Sequence, residues 1–367
     1  MQYKNLFLSL LFLSFSAALV AGFKLFAWTL FLDIPGVSLE SISAILAGGG
    51  VFAFFFGPLI VGSIGVRYAT LTAFIACFLG FLFLGLGNVL TGSVRITGFI
   101  GALAVGFGGA LYLVTKNVIL PSIIEKDKLS DTFVAAWANI SFVVATLVGS
   151  VGGSYIAEYT GISGFWIFVG LSLPGMVAFY FLREIPTSIL PNFSAYIVGV
   201  KDIFRHLGVP IIVTSGLWAV ITALAQIFVE VSVDHFGQSF TEASLVLIWA
   251  TLGGIAGNIW SMKFQEKRFL AYRISLGLLG LIILACTGLI DLVIYLQSPI
   301  FLALLASTIG LVFGVAVNLM AGYYFLKLES SKYKSIGAAE IGFFASIGIT
   351  RRIAGILRFE KAKARFT

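Results

Sequence analysis

The sequence predicts an all-α protein that crosses a membrane many times, and two observations carry that prediction. Hydrophobic residues make up 59% of the 367 positions and charged residues only 11%, whereas soluble domains carry about 25% charged residues. The apolar residues form long runs, and a helix needs about 20 such residues to cross a bilayer. Because hydrocarbon offers the backbone no hydrogen-bond partner, we expect these runs to be helices.

The stretch from Gly98 to Gly153 shows this pattern most clearly. Two apolar segments with many glycines flank one short charged connection, Glu125-Lys126-Asp127-Lys128. Glycines spaced three to five residues apart let neighbouring helices approach closely. The stretch therefore predicts a tightly packed transmembrane hairpin with a charged turn and with a lysine, Lys116, inside one apolar run. Such a unit is typical of a transporter.

Apolar runs bounded by charged or turn residues predict the spans in chain order. These are Leu6–Leu32, Ile42–Val61, Tyr68–Leu90, Ile96–Leu120, Phe133–Ala157, Gly164–Leu182, Pro210–Val231, Ala243–Met262, Ile274–Leu296 and Ile300–Leu326. The first run is too long for a cleaved signal sequence, so we interpret it as the first helix. A weaker run, Ile336–Leu357, is interrupted by Glu340 and by Arg351-Arg352.

The longest interior stretch without a span predicts a division into two halves. Arg183 to His206 contains Pro186 and Pro191 together with several charges, which is typical of a linker. We therefore predict a six-helix N-terminal half (1–182), a cytoplasmic linker (183–208), an incomplete C-terminal half (209–357) and a basic tail (358–367).

Lysine and arginine predict the orientation. If the N-terminus is cytoplasmic, nearly all the basic loop residues fall on the cytoplasmic side and only Arg95 falls outside. The net charge of +7 is thus assigned to orientation, and no nucleic-acid partner is expected. We predict a multi-pass protein of the cell (cytoplasmic or inner) membrane. An eleventh complete crossing would place the basic tail outside, so either that run does not cross completely or the chain is cut short.

The loop between the second and third spans resembles a motif of the major facilitator superfamily. It reads Gly57-Pro58-Leu59-Ile60-Val61-Gly62-Ser63-Ile64-Gly65-Val66-Arg67. The residues that match the family's cytoplasmic loop motif are Gly57, Pro58, Gly65 and Arg67, whereas Gly62 and Ser63 replace its usual aspartate and first arginine. The resemblance implies two six-helix halves related by an axis along the membrane normal. About ten or eleven of the family's usual twelve helices are recognisable, and the last are missing or degenerate.

Within that superfamily the chain looks most like the lysophospholipid-transporter branch. The resemblance rests on the Lys116 segment followed by Ile119–Ile124, on Asp127-Lys128-Leu129, and on the glycine-rich Leu147–Gly153. It implies an amphiphilic substrate with an anionic group. The positions before Phe23-Lys24 are apolar here, unlike in that branch.

Ionisable and polar groups within spans are the candidate functional residues, because they are costly in a membrane. The superfamily resemblance implies that spans one, four, seven and ten line a central cavity. Their polar residues, which we predict to bind substrate or gate the cavity, are Lys24, Lys116, Gln226, Glu230 and Asn318.

We assign roles to three of these residues and keep the alternatives open. Lys24 and Glu230 are predicted to pair across the two halves as an outer gate, and Lys116 to contact an anionic group such as a phosphate. Alternatively, Lys116 extends to the lipid headgroups, and Glu230 only marks the end of its span. Asn139 and Asn318 are equally consistent with hydrogen bonds between helices.

The predicted function is secondary active transport, by alternating access, of a small or amphiphilic anion resembling a lysophospholipid. One alternative is a proton-coupled exporter of small organic compounds or drugs, and another is a non-transporting membrane scaffold. No spacing typical of a nucleophile with its base, a metal site or a phosphate loop occurs, so we expect no enzyme, metal or cofactor. The expected partners are a small-molecule or lipid substrate and membrane lipids, and the oligomeric state is not predicted.

Overall fold

A computed structural model describes residues 4–30, 39–91, 94–178, 227–264 and 268–329, together with the single positions 198, 201, 205, 221, 224 and 225. Within these ranges the chain forms helices and short turns and no strand. The helices are α1 (Lys4–Leu30), α2 (Leu39–Thr91), α3 (Val94–Asp127), α4 (Asp131–Thr160), α5 (Gly164–Ala178), α6 (residues 227–236), α7 (Phe240–Ser244), α8 (Val246–Ser261), α9 (Arg268–Leu296) and α10 (Pro299–Glu329).

Five stretches of the described residues are long and apolar enough to cross a membrane. They are Phe55–Leu86, Gly98–Leu120, Phe133–Val177, Thr241–Phe264 and Pro299–Met320. The predicted all-α, multi-pass fold is therefore confirmed. The predicted linker, the end of the chain after Glu329 and most of the predicted seventh span lie outside the described residues or are described only at single positions, so the domain boundaries stay predictions.

Two predicted spans form one element, α2, which reverses direction at Gly65. This residue has φ 81° and ψ 164°, a conformation that glycine adopts far more easily than other residues. Gly49 on the first arm of α2 packs against Leu103, and Gly80 on the second arm packs against Gly101. The arms thus lie side by side against the same part of α3, as two separate spans would.

The charged connection after α3 is shorter than the sequence predicts. Helix α3 continues to Asp127, and only Lys128 to Ser130 connect it to α4. Lys128 has a positive φ of 50°. The predicted four-residue turn was therefore wrong in extent, since three of its residues extend the helix. Glutamate and lysine are good helix formers, and intrahelical hydrogen bonds can continue past the last apolar residue.

Small residues mark the closest helix crossings. A Cβ at Gly149 of α4 would overlap the carbonyl oxygen of Ala18 in α1, and one at Gly153 would overlap that of Gly22. Because residue numbers rise together along both helices, α1 and α4 run parallel. Such crossings are the packing that the glycine spacing in the sequence predicts.

Aromatic side chains fill the space between α1, α2 and α5. Phe26 is completely buried, and its ring centroid lies 4.9 Å from that of Phe165, edge to face, and 5.2 Å from that of Phe168. The rings of Phe23 and Phe81 are 5.3 Å apart, also in an edge-to-face arrangement. Each such pair contributes about 0.5–1.5 kcal/mol beyond the burial of area, so this cluster fixes α1 as one wall of the bundle.

Candidate functional site

A cavity of about 390 Å³ lies between the helices of the first half of the chain and those of the second. Its walls come from α1, α2, α3 and α4 on one side and from α8, α10 and the residues at 221, 224, 225, 228 and 229 on the other. This volume falls in the range of about 300–1,000 Å³ typical of sites for small organic ligands. The two parts of the chain therefore build one chamber together.

The lining of this cavity is mainly apolar and carries a single charged side chain, Lys24 of α1, among the described lining residues. The side chain of Lys24 is partly buried. Placing a lysine at the centre of a span costs about 2.5–3.5 kcal/mol on insertion scales. Because of this cost, a lysine that faces a cavity is more typical of a functional residue than of a packing residue.

Lys24 lies near one end of the cavity, which we call the lysine end. Gly22 packs between Gly149 and Gly153, so Lys24 is level with the second half of α4. The lining residue Asn139 lies at the opposite end of the cavity wall formed by α4. The fourteen residues of helix from Gly153 to Asn139 correspond to about 20 Å. The cavity is therefore elongated along the helix axes.

Helices α4 and α8 run antiparallel across the cavity, and two contacts fix their register. The Thr241 hydroxyl, just before α8, donates a hydrogen bond of 2.5 Å to the carboxylate of Glu158 near the end of α4. Further along, a Cβ on Gly254 would lie 3.9 Å from Cγ1 of Val143. Asn139 on α4 and Asn258 on α8 each lie one helical turn beyond that contact. Both amides are therefore at the same level along the helix axes.

Both amides line the cavity and are buried, with 8% of Asn139 and 2% of Asn258 exposed. The side-chain N–H group of Asn258 donates to the carbonyl of Gly254 at 2.8 Å, and its Oδ1 has no hydrogen-bond partner. The Nδ2 of Asn139 has none either. We call this place the amide end. From the sequence, Asn139 is equally consistent with a ligand contact and with a hydrogen bond between helices. Asn258, a polar residue within the predicted eighth span, is not among the predicted site residues.

The sequence profile of the Major Facilitator Superfamily matches residues 6–350. The chain belongs to the Major Facilitator Superfamily. It is accordingly a multi-pass membrane protein of the secondary-transporter class, as the sequence resemblance implied. No curated protein matches the chain. Among the described residues, no group of three or more histidine, cysteine, aspartate or glutamate side chains could hold a metal ion.

Three further candidate residues of this superfamily member, Lys116, Glu230 and Asn318, are not among the described lining residues of the cavity. The Nζ of Lys116 sits 5.4 Å from the ring centroid of Phe142, and Phe142 is the one of the two that lines the cavity. Glu230 is partly buried on α6, next to the lining residue Val229. The predicted roles of Lys116 and Glu230 stay predictions.

Asn318 is completely buried, and its Nδ2 donates a hydrogen bond of 2.5 Å to the Ser261 hydroxyl at the end of α8. This bond joins α10 to α8. It is a hydrogen bond between helices, the alternative role given above for Asn318. Asn318 is not among the lining residues. Gln226 lies outside the described residues.

The loop motif of the superfamily lies at the reversal of α2. Gly57 packs on Val114 and Leu111 of α3, and Pro58 lies within the first arm of α2. Gly65 forms the reversal, and Arg67 is partly buried immediately after it. The motif residues thus form the turn that connects two spans, and a further role for them stays a prediction.

Proposed function

We propose that this protein transports a small amphiphilic anion, whose charged group binds at Lys24 and whose apolar part lies along the cavity wall. The observation that carries the proposal is a mainly apolar chamber, shared by both parts of the chain, in which Lys24 is the one charged side chain among the described lining residues. A secondary transporter of this superfamily needs such a chamber at the interface of its two halves. The ammonium of lysine is a compact point charge suited to a carboxylate or a phosphate.

The size of the cavity constrains the substrate. A volume of about 390 Å³ is near the lower end of the range for drug-sized ligands. A single-chain amphiphile meets this limit if its polar part lies inside and any long chain extends beyond the cavity. Lysophospholipids belong to this class, and the resemblance of residues 116–153 to that branch supports them as the first substrate to test.

Lys24 is a better candidate than Lys116 for the anionic group. Lys24 lines the cavity, whereas Lys116 stacks on the ring of Phe142. Lys116 is not among the described residues that line the cavity. Lys24 also takes part in a contact within the protein, and the substrate anion would share or replace that partner during transport.

The test is uptake of labelled lysophosphatidylethanolamine and of labelled dodecanoate into vesicles containing the purified protein. We expect Lys24→Ala to lower uptake at least about tenfold, which corresponds to about 1.4 kcal/mol, and Lys24→Arg to retain part of it because the charge remains. Lys116→Ala at equal protein amount is the matched lysine control, and its loss should be smaller.

The outcomes separate the alternatives. Full uptake by Lys24→Ala would contradict the proposed binding of the anion. No uptake of either probe by folded wild-type protein would favour the scaffold. Because Glu230 adjoins the lining residue Val229, a proton-coupled exporter is the second candidate. It would require transport that collapses with the proton gradient and with Glu230→Gln.

A further inference from the structure

We propose that Asn139 and Asn258 form a second substrate subsite at the amide end of the cavity, which takes a neutral group able both to accept and to donate a hydrogen bond, such as a hydroxyl. The inference rests on the proposed function, because it assumes that a substrate anion occupies the lysine end. It adds a second polar group to that substrate and so restricts the class of compounds to which the substrate belongs.

The register of two neighbouring helices places the two amides at the same level of the cavity. The Glu158–Thr241 hydrogen bond and the Val143–Gly254 approach fix α4 and α8 as antiparallel neighbours. Asn139 precedes Val143 by four residues, and Asn258 follows Gly254 by four. Each amide is therefore one turn along the same direction from a shared contact point, and both line one cavity.

The hydrogen-bonding groups left over at this end are complementary. Asn139 has an unpartnered donor, Nδ2, and Asn258 has an unpartnered acceptor, Oδ1. A buried polar group without a partner costs free energy, so a ligand that supplies one is favoured. A hydroxyl group offers both an acceptor oxygen and a donor hydrogen. A carboxylate would satisfy Asn139 but would repel the Asn258 oxygen.

Asn318 differs from these two amides because it does not line the cavity. It also has an unpartnered Oδ1, but it is bonded to Ser261 and is not among the lining residues. Asn139 and Asn258 each combine a buried, unpartnered atom with a place among the residues that line the chamber. That combination points to a ligand rather than to a contact between helices alone.

The distance between the two ends suggests the probe. About 20 Å of helix separates the level of Lys24 from that of Asn139. The ω-hydroxy derivative of dodecanoate carries a carboxylate at one end, an apolar chain, and a hydroxyl at the other end. Unsubstituted dodecanoate of the same chain length lacks only the hydroxyl.

The experiment measures the dissociation constants of both probes for the full chain, purified and held in lipid nanodiscs. The wild type should bind ω-hydroxydodecanoate about tenfold more tightly than dodecanoate, since a site built for a hydroxyl rejects an analogue without it. Asn139→Ala and Asn258→Ala should each remove this ratio, because the affinity for ω-hydroxydodecanoate should fall about tenfold more than the affinity for dodecanoate. Thr308→Ala, which removes an exposed hydroxyl on the outer face of α10, should keep the ratio.

Three results would overturn the inference. If wild-type protein binds the two probes equally well, no hydroxyl subsite exists, and this comparison needs no variant to fold. If both asparagine variants weaken the two probes by the same factor, the amides act in helix packing. If neither probe binds at all, the proposed anion site at the lysine end is wrong as well. The first two results overturn only the hydroxyl subsite, so the two kinds of failure can be told apart.

Discussion

At the scale of single residues, Lys24 is distinguished from Lys116 by what each side chain contacts. Both lysines interrupt apolar runs at comparable cost. Lys24 faces the chamber, whereas the charge of Lys116 lies over the ring of Phe142, an attraction that partly compensates a desolvated ammonium. Residue type alone therefore does not distinguish a substrate-binding lysine from a lysine packed between helices. The contacts of each side chain, here the ring of Phe142 beside Lys116, make that distinction.

The predicted gate between Lys24 and Glu230 can be tested by exchanging the charges. Lys24→Glu and Glu230→Lys should each reduce transport at least about tenfold, because each leaves two like charges in a poorly solvated place. The double variant restores the opposite charges and should recover a large part of the activity. Initial uptake rates at matched protein amounts are the measurement. A double variant as inactive as the single variants would mean that the two residues do not act as a pair.

The residues of the site were only partly predictable from the sequence. Lys24 could be found because a charge within an apolar run is conspicuous in any hydropathy reading. Asn258 is visible as a polar residue within a span, but its role could not be assigned, because a lone asparagine there forms a hydrogen bond between helices as often as it contacts a ligand. Its position opposite Asn139 depends on the register between two helices about a hundred residues apart in the chain, and sequence pattern does not encode that register locally.

At the scale of elements, the helix crossings depend on glycines that meet backbone atoms. A Cβ added at Gly149 would overlap the carbonyl of Ala18. A Cβ added at Gly152, three residues later on the same helix, would have no neighbouring atom within 4 Å. Hydropathy located most of these helices well, as with α4, predicted from Phe133 to Ala157 and observed from Asp131 to Thr160. It could not tell which glycine faces a neighbour, because that depends on the rotation of each packed helix.

Gly149→Ala and Gly152→Ala therefore form a matched pair of substitutions. Gly149→Ala should lower the stability by about 1–3 kcal/mol or more, since a backbone carbonyl cannot turn aside as a side chain can. Gly152→Ala should be neutral or should stabilise the helix by about 0.5–1 kcal/mol, because alanine loses less backbone entropy. Thermal unfolding of the purified protein, followed by tryptophan fluorescence, measures both. Equal melting temperatures for the two variants would refute the close crossing of α1 and α4.

At the scale of the whole molecule, the same crossing occurs in both parts of the chain. Gly49 and Gly106 bring the first arm of α2 onto α3, and Gly253 and Gly310 bring α8 onto α10. In each case two spans that are not adjacent in the chain run parallel with their backbones in contact. Such repetition six spans apart is what two related halves would produce, and alternating access would move one half against the other around the cavity.

The hydrogen bond between Glu158 and Thr241 joins the two parts of the chain at the lysine end, so we expect it to break when that end of the cavity opens. With Cys77 and Cys286 replaced by serine, Glu158→Cys and Thr241→Cys should be joined by a short, reducible dithiol cross-linker. Transport should stop on cross-linking and return on reduction, because alternating access requires these segments to separate. Each single cysteine variant treated with the same reagent controls for modification alone. Undiminished transport by the cross-linked protein would exclude opening at this end. It would also exclude the movement of one half against the other around the cavity.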